Sequence, residues 1–186
     1  MEKGETRTER KKSEAHDKII ESASQLFIER GARSVSMDEI AERADMARRT
    51  LFNHFSTKDA LLYAVAAPIL EDAIALAEDR LGLDGVVLDV MLDLCFVLYK
   101  RHGRRLELLF AFELEDSPTL ATLHRRYLGV FKQLIQKISG ETDSRIVGKL
   151  VYRMFVPLLR SLEGEDDIER RFHQGMRGLI AGALLK

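Results

Sequence analysis

Residues 19–62 read IIESASQLFIERGARSVSMDEIAERADMARRTLFNHFSTKDALL. Ile19, Ile20, Ala23, Leu26 and Phe27 recur at helical spacing, and Gly31 ends this first helix because glycine readily takes left-handed backbone. Ser36-Met37-Asp38-Glu39 predicts a capping box, in which Ser36 and Glu39 satisfy each other's orphan amides. It opens a second helix with Met37, Ile40, Ala41 and Ala44 facing inward. Asp45-Met46 makes the turn, and a third helix runs from about Ala47 to His54, anchored by Leu51 and Phe55. Ser56 with Asp59 predicts another capping box, for a fourth helix reaching about Leu81. Two short helices about a tight turn, the second opening on adjacent arginines, form a helix-turn-helix. The first helix of such a motif braces on the DNA backbone while the second lies in the major groove.

The chemistry of that third helix suits base edges. Arg48 and Arg49 occupy its first turn, where a guanidinium makes a bidentate contact to guanine O6 and N7. Thr50 offers a hydroxyl or a methyl, and Asn53 and His54 reach a base or a phosphate one turn on. Ser36 and Lys58, each opening a helix, are placed to hold phosphates.

The whole stretch resembles the DNA-binding domain of the TetR family of bacterial transcriptional regulators. The resemblance rests on Ala23, Leu26-Phe27, Gly31, Ser36, Ile40-Ala41, Ala44, Thr50-Leu51, His54-Phe55, Lys58 and Leu61 in fixed spacing. Three positions depart from the family pattern. Asp45 replaces the usual turn glycine, and Asp tolerates left-handed backbone better than most residues. Ala47 replaces a small hydroxyl residue, removing a cap or phosphate contact. Phe52 replaces a tyrosine whose hydroxyl would bond a phosphate, so Arg48 or Arg49 must compensate at that DNA-contacting position.

Composition sets the limits around this motif. The chain has 186 residues, 46% hydrophobic and 32% charged, with a formal net charge of -1. Residues 1–58 hold 12 Lys+Arg against 11 Asp+Glu, so DNA affinity must come from local placement of charge rather than a domain-wide field. The lone Cys95 excludes an intramolecular disulfide and reads as a small buried hydrophobe. The N-terminus is charged with no apolar core behind it, and the apolar run Ala60 to Leu70 is too short for a membrane span. A cytoplasmic protein with no membrane partner is expected. Residues 1–14 mix Lys, Arg and Glu without periodicity and predict a flexible arm, whose Arg7, Arg10, Lys11 and Lys12 could touch DNA.

Beyond the motif every segment reads as helix. The expected elements are an almost wholly apolar fifth helix over 85–101 with one polar stripe (Asp89, Asp93, Lys100), and a sixth in RRLELLFAFELE. A seventh opens on Ser117-Pro118 and runs to Ile138, and an eighth and ninth span 144–162 and 167–185 about the turn Glu163-Gly164-Glu165. The fold class is all-α with about nine helices, divided into the arm at 1–14, a DNA-binding domain at 15–58 and a helical domain at 59–186.

The resemblance implies that this helical domain binds an effector and dimerises. Met91, Cys95, Phe96, Tyr99, Phe110, Tyr127, Phe131 and Met154 are the candidate ligand-pocket residues, with Asp93, Glu113 and His124 available to a polar or cationic group. Phe155, Leu158, Leu162, Phe172, Met176, Leu179 and Ala183 are the candidate dimer interface, where Gly175, Gly178, Ala181 and Gly182 permit close approach. The expected protein is a homodimeric repressor on a palindromic DNA operator, released by a small, largely apolar effector; recruitment of a protein partner is the alternative. The five histidines show no paired ligand spacing, so no metal and no cofactor is expected. No Gly-rich phosphate loop or nucleophile motif points to an enzyme.

Overall fold

The structure, a computed structural model, describes residues 6–82, 87–111 and 117–184, without the side chains of Val87, Phe110, Ala111, 138–145 and Leu184. Among the described residues it is all helix: α1 (Arg7–Arg30), α2 (Met37–Arg43), α3 (Arg48–His54), α4 (Lys58–Leu81), α5 (Val87–His102), α6 (Leu108–Ala111), α7 (Pro118–Ser161) and α8 (Ile168–Leu184), with a 3-10 helix at Gly103–Glu107. These segregate into two compact units. One holds residues 1–68 and 108–122; the other holds 69–107 and 123–186.

In the first unit, α1 begins earlier than the sequence suggests. Residues 7–14, expected as part of an arm, are its first two turns. Thr6 caps them: its hydroxyl accepts from the Glu9 amide at 3.2 Å while the Glu9 carboxylate accepts from the Thr6 amide at 2.7 Å. Arg10 and Glu14, one turn apart at 3.5 Å, add a further exposed pair. Such local interactions hold a helix without any apolar periodicity, which is why the hydrophobic pattern missed it. Gly31 ends α1 with φ 76°, a conformation that residues with a Cβ avoid.

The core of this unit gathers Ile19, Ala23 and Phe27 of α1, Ile40 and Ala41 of α2, Leu51 of α3, and Leu61, Leu62 and Val65 of α4. Leu108 and Leu109 on α6, which packs against α1, are also buried. The expected cap at Ser56 and Asp59 is replaced by Thr57, whose hydroxyl accepts from the Ala60 amide at 3.1 Å. Asp59 instead accepts a hydrogen bond from the Thr119 hydroxyl at 2.5 Å.

The second unit is built from the latter part of α4, α5, most of α7, and α8. By length and composition α4 could cross a membrane, with mean hydropathy 1.7, but 56% of that window is buried inside the protein. Ile69, Leu70, Ala73, Ile74 and Ala77 account for this, and α4 is read as a core helix. The two helices expected over 117–138 and 144–162 form the single helical run α7, so the described helices number eight. Ile135 nevertheless lies within 3.8 Å of where a Cβ on Gly148 would stand. Thirteen residues of straight helix would separate these positions by roughly 20 Å. The axis of α7 therefore doubles back between them, and its two arms pack side by side. Ser117 and Pro118 open α7 as expected, with the buried Ser117 hydroxyl accepting from the Leu120 amide at 3.1 Å.

A seven-residue helix such as α3 is far too short to persist alone, so its order comes from the core. Leu51, its one buried residue, is fully enclosed. Leu51→Ala should destabilise the protein by about 2–5 kcal/mol in urea unfolding and abolish DNA binding at temperatures where the remaining helices persist.

Candidate nucleic-acid interface

The turn before α3 is set by two backbone facts. Asp45 adopts φ 51°, the left-handed conformation that its sequence position requires in place of glycine. Its carboxylate, almost fully exposed, lies 3.8 Å from the Lys18 ammonium of α1. Ala47 is the N-cap of α3 and supplies no side-chain hydrogen bond, as its methyl group dictates.

Arg48 does not hang free. Its Nε lies 3.0 Å from Asp38 Oδ1 on α2, and its guanidinium carbon sits 5.3 Å from the centroid of the Phe52 ring, four residues on. Phe52 is among the few exposed large apolar side chains, 36% accessible. The aromatic ring that lacks the usual hydroxyl thus serves as a platform for Arg48. Both partners of the Arg48–Asp38 pair are more than half exposed, so the pair contributes little to stability. Its role is orientation. Arg49 is exposed beside it, and among the described residues no acid lies within ion-pairing reach of it.

Two cations beside α2 are already matched. Arg30 pairs with Glu39 at 2.6 Å and Arg43 with Glu29 at 2.9 Å. Ser36 closes the predicted capping box: its hydroxyl accepts from the Glu39 amide at 3.2 Å, and Glu39 Oε2 accepts from the Ser36 amide at 2.8 Å. The Ser36 amide and hydroxyl, then the Arg30 guanidinium, hold the Glu39 carboxyl down to about 2. Lys58, expected on a phosphate, donates to the Val35 carbonyl at 2.8 Å and to that of Arg33 at 3.4 Å. It staples the start of α4 to the loop before α2.

Thr50 and His54 are half-buried, and Asn53 is exposed with Arg48, Arg49 and Phe52. The His54 ring stands 5.8 Å from that of His16 on α1, and His16 lies 4.9 Å from the Phe55 ring. Burial first, then the charges of His16 and Lys12, hold His54 below the usual histidine value. The basic first turns of α1 therefore run close enough to α3 for Lys12 to act on it. Asp38 and His16 were invisible to the sequence reading, because no spacing rule links them to the side chains they face.

In the second unit the candidate pocket residues Met91, Cys95, Phe96, Tyr127 and Phe131 are buried, while Tyr99 and Met154 are half-buried. The Phe110 side chain and Glu113 lie outside the described residues. Burial pushes the Cys95 thiol up to about 12, which removes thiolate chemistry and fits a packing residue. Tyr99 donates to Glu163 Oε1, and burial with that carboxylate pushes its phenol up to about 12. Of the candidate interface residues, the chain buries Phe155, Phe172 and Met176 in its own core, so they are unavailable to a second copy. The exposed apolar positions on α8 are Leu179 and Ala183, with Leu158 and Leu162 on α7 half-buried. Gly175 makes its close approach inside the chain, 3.0 Å from Leu158 by its Cβ direction, whereas Gly178 and Gly182 face open space.

Comparison with known proteins places this geometry. Residues 19–65 match the sequence model of the bacterial regulatory proteins of the tetR family. The HTH-type transcriptional repressor Rv3405c of Mycobacterium tuberculosis is 29% identical over 160 residues, covering 81% of this chain and 78% of its own. The HTH-type transcriptional regulator UidR of Escherichia coli is 26% identical over 182 residues, covering 90% and 91%. The matched stretch is the helix-turn-helix region, and there the chain is similar to the tetR-family regulators. Solved structures agree in fold. A putative fatty acid metabolism regulator of Clostridium perfringens aligns with TM-score 0.64 at 17% identity, over 91% of this chain and all of that one. AmtR of Mycobacterium smegmatis aligns with TM-score 0.62 at 20% identity, over 96% and 88%. These relatives are transcriptional regulators, which supports a DNA-binding regulator rather than an enzyme.

The depressed His54 value has a definite sign. The unfolded chain takes up a proton near pH 6.5 while the folded chain resists it, so the stability tied to neutral His54 is complete above that pH. It is lost as pH falls through the lower folded value. The melting temperature should drop from about pH 6.5 downward, and the drop should be shallower in His54→Gln.

Proposed function

We propose that this regulator is a homodimer that reads a palindromic operator through Arg48, Arg49, Thr50 and Asn53, and represses transcription until a small, largely apolar effector releases it. The observation that carries the reading is the exposed cluster Arg48–Phe52–Asp38. A guanidinium fixed between a ring and a carboxylate loses less freedom when it engages a guanine. Phe52 lies against Arg48, the His54 ring stands tilted beside His16 of α1, and Ser36 and Lys58 organise the flanking helix starts. Repression is supported by the relative from Mycobacterium tuberculosis that is named a repressor.

Dimerisation is supported by α8, where Gly178, Leu179, Gly182 and Ala183 are exposed, Leu179 at 38%. Two glycines facing open space let a second helix approach closely, and helix-turn-helix proteins read two half-sites a turn apart. An apolar effector is supported by the buried aromatic row of the second unit. His124 and Tyr127 stack at 6.0 Å and Tyr127 and Phe131 at 5.8 Å, with Met91 and Cys95 also in that unit's core. A compound that raises the melting temperature and dissociates the DNA complex would identify it.

Gel shifts on the DNA upstream of its own coding region test the reading set. Arg48→Ala should weaken specific binding by about 1–3 kcal/mol. Asp38→Asn should tighten binding to random DNA and lower the ratio of specific to non-specific affinity, because it removes both a repelling charge and the orienting partner. Equal affinity of Arg48→Ala for operator would take Arg48 out of the reading set. Leu179→Glu should convert the dimer to monomer in sedimentation equilibrium while leaving helix content unchanged; a dimer that survives would move the interface elsewhere.

A further inference from the structure

The polar stripe on otherwise apolar α5 meets a matching stripe on α8. Asp89 pairs with Arg177 at 2.5 Å, Asp93 faces His173, and Phe96 stacks on Phe172 at 6.3 Å. The middle of this seam differs from an ordinary ion pair. Glu169 and His173 stand one helical turn apart on α8, and their ligand atoms and that of Asp93 all lie within 4.8 Å of one another. His173 Nε2 is buried and makes no hydrogen bond, although Asp93 Oδ1 is only 3.3 Å away.

That distance has a simple meaning. Nitrogen and oxygen ligands bound at about 2.0–2.1 Å to a tetrahedral ion sit roughly 3.3 Å apart along the edge of the tetrahedron. The ring nitrogen and the carboxylate oxygen are spaced as co-ligands, and the misaligned pair does not complete a hydrogen bond. Glu169 adds a second carboxylate from the same helix as the histidine. Among the described residues no cation lies within ion-pairing reach of Glu169, and none but His173 within reach of Asp93. The nearby cations are engaged elsewhere: Arg170 with Asp167 at 3.0 Å, Arg177 with Asp89, and Lys100 over the Phe96 ring at 5.9 Å. A groove of about 960 Å³ opens beside the trio, lined by Glu169 and His173 together with Tyr99, so water can fill a remaining coordination position.

We propose that Asp93, Glu169 and His173 form a site for a divalent transition-metal ion, of the Zn2+ type, that bridges α5 and α8. One imidazole and two carboxylates suit borderline ions better than Mg2+, which prefers an all-oxygen, largely hydrated sphere. The ion neutralises two carboxylates on neighbouring helices and pins α8 to α5. The expectation of no metal rested on histidine-to-histidine spacing. The informative pair is instead the carboxylate and imidazole at Glu169 and His173, and the third ligand comes from 76 positions earlier in the sequence. The site stands independently of the operator and effector readings above.

The full-length protein, free of any histidine tag and stripped with chelator, is titrated with Zn2+ by calorimetry and its bound metal counted by mass spectrometry. One Zn2+ per chain is expected, with a rise in melting temperature that Mg2+ at the same concentration does not produce. Asp93→Asn and Glu169→Gln, both at exposed positions, and His173→Gln should each weaken Zn2+ at least tenfold and keep the metal-free helix content. His54→Gln should bind as the parent does. Substoichiometric Zn2+, or parent-like binding by Asp93→Asn and Glu169→Gln, overturns the site.

Discussion

A recognition helix of seven residues cannot order itself, and everything the DNA-binding unit does depends on how α3 is held. Leu51 anchors it from below, fully buried as are Ile40, Phe27 and Leu61 of the neighbouring helices. The chain enters it through left-handed Asp45 and leaves it through buried Phe55. With both ends and the inner face fixed, the outer face is free to carry charge without a structural task. Arg48, Arg49 and Asn53 occupy that face.

Charge in this unit works by local geometry. Most basic side chains around α2 are matched by an acid, and even Arg48 is held by Asp38. A nearly neutral domain of this kind has little long-range pull on DNA and depends on where its unmatched cations sit. The Arg48–Phe52 contact also accounts for the absent tyrosine hydroxyl. A phenylalanine ring gives up a phosphate hydrogen bond but still supports a guanidinium.

The second unit shows the same economy in a different form. Phe155, Phe172 and Met176 belong to its interior, and Gly175 is there to admit Leu158 rather than a second chain. What α8 leaves exposed is a narrow row of Gly178, Leu179, Gly182 and Ala183. Its opposite, polar edge meets Asp89 and Asp93 of α5. One helix thus supplies core, seam and an open face at successive angular positions, as its 3.6-residue period allows.

The all-helical class, the capping box at Ser36 and Glu39, the turn at Asp45 and the N-cap at Ser117 were all legible in the sequence, because each is written in residues a few positions apart. The same locality explains the first two turns of α1, which Thr6 and Glu9 announce although apolar periodicity does not. Apolar spacing alone could say that Phe172 and Met176 are inward, but not inward to what. Whether a wide apolar face closes on its own chain or on another depends on which helices lie beside it, and only the tertiary packing of α5, α7 and α8 decided that. The partners of Arg48, His54 and His173 were decided there too. Asp38, His16 and Asp93 reach them across helix boundaries, through space that no sequence interval measures.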